Sequence, residues 1–206
     1  MEENKEFETN EIFEEENEIT EEPKKGKSMG REIFEWIQAI VVAVVLAMFL
    51  RTFIFTLVNV SGTSMVPTLH NNDKLFVWRL GYEPEVGDII IFRPRAHEDT
   101  PYVKRVIATE GQTVNIVPDE TTGYCEVYVD GERLNEDYIN DKIDIVHIGN
   151  VTYPATVPEN CVFAMGDNRN NSKDSRFLDV GMVTEESIIG HATLRLWPIN
   201  SFELLD

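Results

Sequence analysis

The 206-residue chain has a formal charge of −19, is 42% hydrophobic and contains two cysteines. Residues 1–30 contain eleven acidic residues and four lysines, a net charge of −7, which leaves −12 on the remainder. Neither part has a basic face, so the composition argues against a nucleic-acid partner. The length predicts one globular domain with appendages. Cys125 and Cys161 fit neither a metal-site spacing nor a disulfide-dense framework, and their pairing in an oxidising compartment stays open.

The N-terminal part predicts a tail and a membrane anchor. Residues 1–31 are predicted to be an acidic, disordered cytoplasmic tail, because glutamates dominate and large apolar side chains are few. Residues 32–57 are predicted to form a transmembrane helix, in which the run from Trp36 to Leu50 carries no charge and Arg51 extends to the head groups. A core helix would have a polar stripe. A cleaved signal peptide would have a short basic start and an A-x-A-like exit.

The orientation of the anchor follows from the charges on its two sides. Basic residues cluster before the anchor at Lys24, Lys25, Lys27 and Arg31, whereas Arg51 stands alone after it. Positive charge is retained on the cytoplasmic side, so the N-terminus is predicted to be inside and residues 58–206 outside the cell membrane.

Residues 58–206 are predicted to form a mainly β, antiparallel ectodomain, because short apolar or alternating runs dominate and no later segment has sustained helical periodicity. Asp130-Gly131 predicts a hairpin turn. The predicted strands lie at 56–60, 74–78, 89–92, 102–109, 113–117, 126–129, 161–165 and 188–198.

A nine-residue stretch, 61–69, supplies a candidate nucleophile. Gly62 interrupts the preceding strand, and a serine such as Ser64 at a sharp reversal exposes its hydroxyl near backbone N–H groups that can face a developing oxyanion. A polar turn without catalytic function is the simpler interpretation of the stretch alone.

A candidate base lies in a strand. Alternation places Lys104 on the same face as Tyr102 and Val106, which removes water from the amine and favours its neutral form. A lysine whose stem packs while its head reaches water fits equally well. His70, the histidine nearest in sequence to Ser64, lies in a polar turn and is the weaker candidate. A third stretch, 166–176, is either a solvated loop or a polar clamp in which Asp174 and Arg176 pair.

Four stretches together resemble the signature boxes of the type I signal peptidases, the membrane-anchored Ser-Lys endopeptidases of bacterial secretion. Their order and spacing agree as well, and the single anchor resembles the Gram-positive branch. The matches are S-G-T-S-M-V-P-T-L at 61–69, G-D-I-I-I-F at 87–92, Y-V-K-R-V-I at 102–107 and M-G-D-N-R-N-N-S-K-D-S-R at 165–176.

The resemblance implies roles for individual residues. Ser64 would be the nucleophile and Lys104 the general base, and Ser172 would help to orient the lysine. Asp174 and Arg176 would form a structural ion pair beneath the site, and Asp167 lies in the same matched box.

The oxyanion site departs from the better-known Gram-negative form. The backbone N–H of Ser64 would supply one donor, but Gly62 stands where that form has a serine hydroxyl. The second donor stays open among Ser61, Thr63 and a water molecule.

The resemblance also implies the substrate and the reaction. The enzyme would remove signal peptides from secreted precursors after small residues, at A-x-A sites, through an acyl-enzyme and without metal or cofactor. Substrate would lie extended between stretches 57–62 and 101–104. Membrane lipids would surround the anchor, and the oligomeric state stays open. The candidates for shallow apolar pockets are Val60, Met65, Leu69, Tyr102 and Val103.

Two other classes of protein remain as alternatives. A regulator that cleaves itself by Ser-Lys chemistry would need a helical DNA-binding module, which residues 1–30 do not offer. A non-catalytic anchored β domain would have no use for Ser64 together with Lys104.

Overall fold

The structure is a computed structural model that describes residues 29–96 and 99–205. Most of the predicted acidic tail, and His97, lie outside the described residues. A helix, α1, spans Met29–Phe53, and the boundary between two compact units falls within it, between Ala43 and Val44. None of its residues is buried, and it is long and apolar enough to cross a membrane.

The helix ends earlier than the predicted anchor boundary at residue 57. Strand β1, Phe55–Asn59, pairs along its whole length with strand β2, Lys74–Trp78, from Phe55 opposite Trp78 to Asn59 opposite Lys74. The backbone groups of 55–59 are therefore satisfied across strands, which stops the helix although the apolar character continues. The strand predicted at 56–60 is confirmed with a shift of one residue.

The predicted β class is confirmed, because the paired strands among residues 29–96 and 99–205 are antiparallel and form two sheets. The larger, eight-stranded sheet has the order β1-β2-β12-β3-β4-β10-β11, with β13 paired to β12. Its strands are β1 Phe55–Asn59, β2 Lys74–Trp78, β3 Ile89–Phe92, β4 Tyr102–Ala108, β10 Cys161–Met165, β11 Val183–Thr184, β12 Ile188–Trp197 and β13 Glu203–Leu204.

The smaller, five-stranded sheet has the order β7-β6-β5-β9, with β8 paired to β6. The predicted hairpin turn is present: Asp130 and Gly131 have φ values of 52° and 85°, as a two-residue turn between β6 and β7 requires. The strands are β5 Thr113–Asp119, β6 Tyr124–Val129, β7 Glu132–Arg133, β8 Ile143–Asp144 and β9 Ala155–Thr156.

Strand β4 lies between β3 and β10 near the middle of the larger sheet. Apolar clusters cover both of its faces, so the last five of its seven residues are buried. Lys104 and Arg105 are among them, 4% and 5% exposed. A buried charge requires a partner or a loss of charge, and the two residues meet this requirement in different ways.

Both cysteines are free and buried, each in the apolar cluster beneath the smaller sheet. The pairing left open by the sequence is therefore not formed. Cys161 lies in β10 as a small core residue, as its apolar neighbours predict.

Candidate active site

The loop that carries Ser64 leaves the end of β1 and is held at both ends. Gly62, with φ of 95°, makes the reversal after the strand, in a conformation that favours glycine. Met65 and Leu69 anchor the far side of the loop, being 1% and 0% exposed in an apolar cluster with Val60. The Ser64 hydroxyl therefore stands on a fixed turn at the edge of the core.

Residues 166–171 hold the Ser64 loop in place through hydrogen bonds. The Asn168 backbone N–H donates to the Ser64 carbonyl oxygen at 3.0 Å, and the Asn168 side-chain amide donates to the Thr63 carbonyl oxygen at 3.0 Å. Asn171 Nδ2 donates to Thr63 Oγ1 at 2.8 Å. The polar density of this stretch thus immobilises the Ser64 loop.

Lys104 meets Ser64 directly. Lys104 Nζ lies 2.7 Å from Ser64 Oγ and 2.8 Å from the Val103 carbonyl oxygen, and 5.3 Å from the centre of the Tyr102 ring. The predicted grouping of Lys104 with Tyr102 is confirmed. The solvated-lysine interpretation is wrong, because the side chain is buried.

Burial also changes the proton affinity of the amine. Loss of water lowers the pKa of Lys104 to about 8, although the carboxylates of Asp174 and Asp167 act in the opposite direction; the Arg176 guanidinium lowers the pKa further. A lysine with a pKa near 8 is neutral in a substantial fraction of molecules at neutral pH. The amine can then accept a proton from a hydroxyl at hydrogen-bond distance.

The predicted Asp174–Arg176 pair is present, and both side chains are 0% exposed. Arg176 Nε donates to Asp174 Oδ1 at 2.8 Å and Nη2 donates to Oδ2 at 2.9 Å. Burial alone would raise the pKa of the Asp174 carboxyl, but Arg176 and the hydrogen bonds from Ser172 and the Gly166 N–H outweigh burial and lower it. The carboxylate therefore stays ionised beneath the site.

A second buried pair, which the sequence analysis did not predict, links the strand of Lys104 to the loop of Ser64. Asp167 accepts hydrogen bonds from Arg105 Nε at 3.0 Å and Nη2 at 2.8 Å. Thr68 Oγ1 donates to the same carboxylate at 2.5 Å. Asp167 thus joins the strand of Lys104 to the loop of Ser64. The sequence feature that could have indicated this pair is Arg105, a charged residue that faces away from Lys104 in an otherwise apolar strand.

Ser172 lies at the edge of the site and donates to Asp174 Oδ2 at 2.7 Å. The hydrogen bond of its hydroxyl thus goes to the carboxylate below Lys104. Gly166 explains how these parts come so close: a Cβ at this residue would lie 2.3 Å from Ser172 Oγ and 2.4 Å from the Ser64 carbonyl oxygen. Any side chain at 166 would separate them.

An open cleft of about 320 Å³ contains the Ser64 hydroxyl and Lys104. It runs between the end of β1 and the start of β4, as the two predicted stretches require. Four of the five predicted substrate-contacting residues line it: Val60, Met65, Tyr102 and Val103. Leu69 is fully buried in the core instead and is not among the lining residues.

Other candidate groups are placed away from this contact. His70 is exposed, and its backbone N–H donates to Asp73 Oδ2 at 2.9 Å. The Gly62 N–H donates to Asn71 Oδ1 at 3.0 Å, so it does not face the cleft as an oxyanion donor. Within residues 29–96 and 99–205, no group of three His, Cys, Asp or Glu side chains is placed to hold a metal ion.

A half-buried hydroxyl 2.7 Å from a buried amine of lowered pKa is typical of hydrolases that use serine and lysine. Comparison with known proteins identifies the family to which the chain belongs. The family model described as signal peptidase, peptidase S26, matches residues 33–197. The chain therefore belongs to the signal peptidase family S26, and it is a peptidase.

Two relatives identified by sequence agree with this placement. Signal peptidase I S of Bacillus subtilis is 38% identical over 184 residues, which cover 84% of this chain and 94% of the relative. A probable signal peptidase I-1 of Synechocystis is 40% identical over 177 residues, covering 81% and 83% respectively. A solved signal peptidase I from Enterococcus faecalis is 31% identical, with a TM-score of 0.44, covering 54% of this chain and 98% of that one.

Proposed function

We propose that this peptidase removes N-terminal signal peptides from secreted precursors, with Ser64 as nucleophile and Lys104 as general base. The contact of 2.7 Å between Lys104 Nζ and Ser64 Oγ is the observation that carries the proposal. The names of the relatives, all signal peptidases, support the substrate class.

The reaction proceeds through an acyl-enzyme. Neutral Lys104 accepts the Ser64 hydroxyl proton while Oγ bonds to the scissile carbonyl carbon. The resulting ammonium gives that proton to the departing amine as the C–N bond breaks, which leaves an ester on Ser64. Lys104 then takes a proton from water, the hydroxide attacks the ester, and Ser64 Oγ recovers its proton as the C–O bond breaks.

The remaining residues hold this geometry. The Ser64 backbone N–H stabilises the oxyanion. The buried ion pair of Asp174 and Arg176 lies beneath the site, and Asp174 accepts a hydrogen bond from the Ser172 hydroxyl. Asp167 keeps the loop of Ser64 against the strand of Lys104. The proposed steps consume only the precursor and water.

The cleft also supports the proposed preference for small residues. An extended peptide between β1 and the start of β4 would add a strand at this edge. Its side chains would enter shallow apolar pockets at Val60, Met65, Tyr102 and Val103, which line the cleft. We expect these pockets to accept alanine and to exclude bulky groups. The proposal is therefore cleavage after an A-x-A sequence.

Purified full-length enzyme in detergent, given a precursor peptide with an A-x-A site, is expected to cut once, after the second alanine. Ser64→Ala should lower kcat/KM by at least about 1,000-fold, because the nucleophile is lost. Tryptophan in place of the alanine before the scissile bond should block cleavage as well. Full turnover by the Ser64→Ala variant would refute the proposed mechanism.

We further propose that α1 anchors the enzyme in the cell membrane with its N-terminus inside and the peptidase domain outside. The helix has the length and composition to span a membrane. Basic residues cluster just before it, at Lys24, Lys25 and Lys27, and near its start, at Arg31. Protease added to intact protoplasts should remove the domain that carries Ser64 and spare residues 1–31. Recovery of a protected fragment containing Ser64 from right-side-out vesicles would reverse the assignment.

A further inference from the structure

A second hollow, larger than the catalytic cleft, opens beside the site. Its volume is about 880 Å³, and the residues that line it include Asn150, Asn171, Ser172, Lys173, Phe177 and Leu178. It lies along the segment that follows the polar stretch 166–171. None of these residues has a chemical step to perform in the reaction above. We call this hollow the second groove.

The second groove is continuous with the catalytic cleft. Lys173 lines both hollows, and Ser172, which lines the second groove, is bonded to Asp174 beneath Lys104. Asn171, on the wall of the groove, donates to Thr63 Oγ1 in the loop of the nucleophile. The two hollows therefore adjoin at Lys173, beside the loop of the nucleophile.

An endopeptidase must accommodate polypeptide on both sides of the scissile bond. In the proposed binding mode, the chain before the bond lies along residues 58–61, which line the cleft and lead up to Ser64. The chain after the bond has to leave past Ser64, away from β1. The second groove, which adjoins the cleft at Lys173, offers such a path.

We propose that the second groove binds the first residues after the scissile bond, the N-terminal residues of the mature protein, and prefers an apolar side chain among them. This inference rests on the proposed function of the same site. Leu178 is the apolar contact, because its side chain is 69% exposed. Asn150 Oδ1 accepts a hydrogen bond from the Leu178 N–H at 2.8 Å, which fixes the backbone of this residue.

At the entrance of the second groove, charge contributes less to substrate binding than apolar contact does. The Lys173 ammonium forms an ion pair with Asp179, another lining residue, and both side chains are nearly half exposed. Their charges offset each other, and exposed pairs exert weak forces. Leu178 presents apolar surface with no such compensation, so burying a substrate side chain on it is favourable.

The test uses peptides that are identical up to the scissile bond. One ends one residue after it, as an amide, and the others continue for six residues, either all serine or with one leucine moved through the second to fifth positions. For wild-type enzyme we expect leucine at one position to raise kcat/KM by about three- to tenfold over the all-serine peptide, the gain of burying part of one side chain.

Leu178→Ser should remove the leucine gain and leave cleavage of the short peptide unchanged, which also shows that the variant is folded. Leu204→Ser is the matched control, since Leu204 is 66% exposed and does not line the groove; it should keep the gain. A gain that survives in Leu178→Ser, or equal rates for all peptides with wild type, would overturn the groove proposal alone. No cleavage of any peptide by wild type would instead reject the proposed function.

Discussion

Lys104→Arg is expected to be folded and inactive at every pH between about 6 and 10, with kcat/KM lowered at least about 1,000-fold. Arginine keeps the positive charge but cannot deprotonate in this range, so it cannot accept the Ser64 proton. The wild-type amine lies 2.7 Å from Ser64 Oγ and has a pKa of about 8. Peptide cleavage measured across this pH range on both enzymes tests the assignment.

The wild-type profile should rise with pH through an apparent pKa of about 8, because only the neutral amine of Lys104 acts as a base. At pH 7.5 a group with this pKa is neutral in about a quarter of the molecules, against about one in a thousand for an unperturbed lysine. The rise levels off above the pKa, where nearly all amines are neutral.

Lys173→Arg is the control for the rise of activity with pH. It changes a lysine of the same cleft that has no contact to Ser64 in the described structure. It should keep the alkaline rise. Arg105 is unsuitable as a control, because its loss would leave Asp167 buried without its ion-pair partner. Substantial activity of Lys104→Arg would rule Lys104 out as the base and direct attention to His70.

Asp174→Ala is expected to lower the free energy of unfolding by about 3–5 kcal/mol, because it leaves the Arg176 guanidinium buried without a counter-charge. For a domain of this size the loss corresponds to a decrease in Tm of about 6–20 °C. Activity should fall with it, since Ser172 and the Gly166 N–H are bonded to the same carboxylate. Thermal unfolding in detergent, followed by near-UV circular dichroism, measures the effect.

Asp179→Ala is the matched control in the same segment. Its ion pair with Lys173 is exposed, so its removal should change Tm little. Ser64→Ala should leave Tm nearly unchanged while abolishing turnover. Equal Tm values for the three variants would contradict a structural role of the buried pair.

The pH dependence of stability has a definite sign at Asp174. Its pKa is lowered in the folded state, so the stabilisation is fully present above the unfolded value of about 3.9. It is lost as the pH falls below that value and the carboxyl becomes protonated. The Asp174→Asn variant should therefore lose stability mainly at neutral pH and differ less from wild type in acid.

Local patterns determined the class of fold and most of the strands. Alternation and apolar runs predicted β2, β3 and β12 within a residue of their observed bounds, and Asp130-Gly131 predicted the hairpin, because strand faces and turn dihedrals depend on neighbouring residues. The end of the helix was less predictable. Residues 55–57 continue the apolar run of the helix, and pairing with β2, nineteen to twenty-three residues later in the chain, makes them a strand.

The sequence by itself also singled out Ser64, Lys104 and the pair of Asp174 with Arg176, because a matched order of short boxes identifies residues without showing their contacts. Only the tertiary structure decided what surrounds them. It buried Lys104 between two apolar clusters, which lowers its pKa, and it joined Asp167 to Arg105, 62 positions away. It also placed Leu69 in the core instead of the cleft. Burial and pairing at long range arise from how strands are ordered in the sheet, and no local pattern encodes that order.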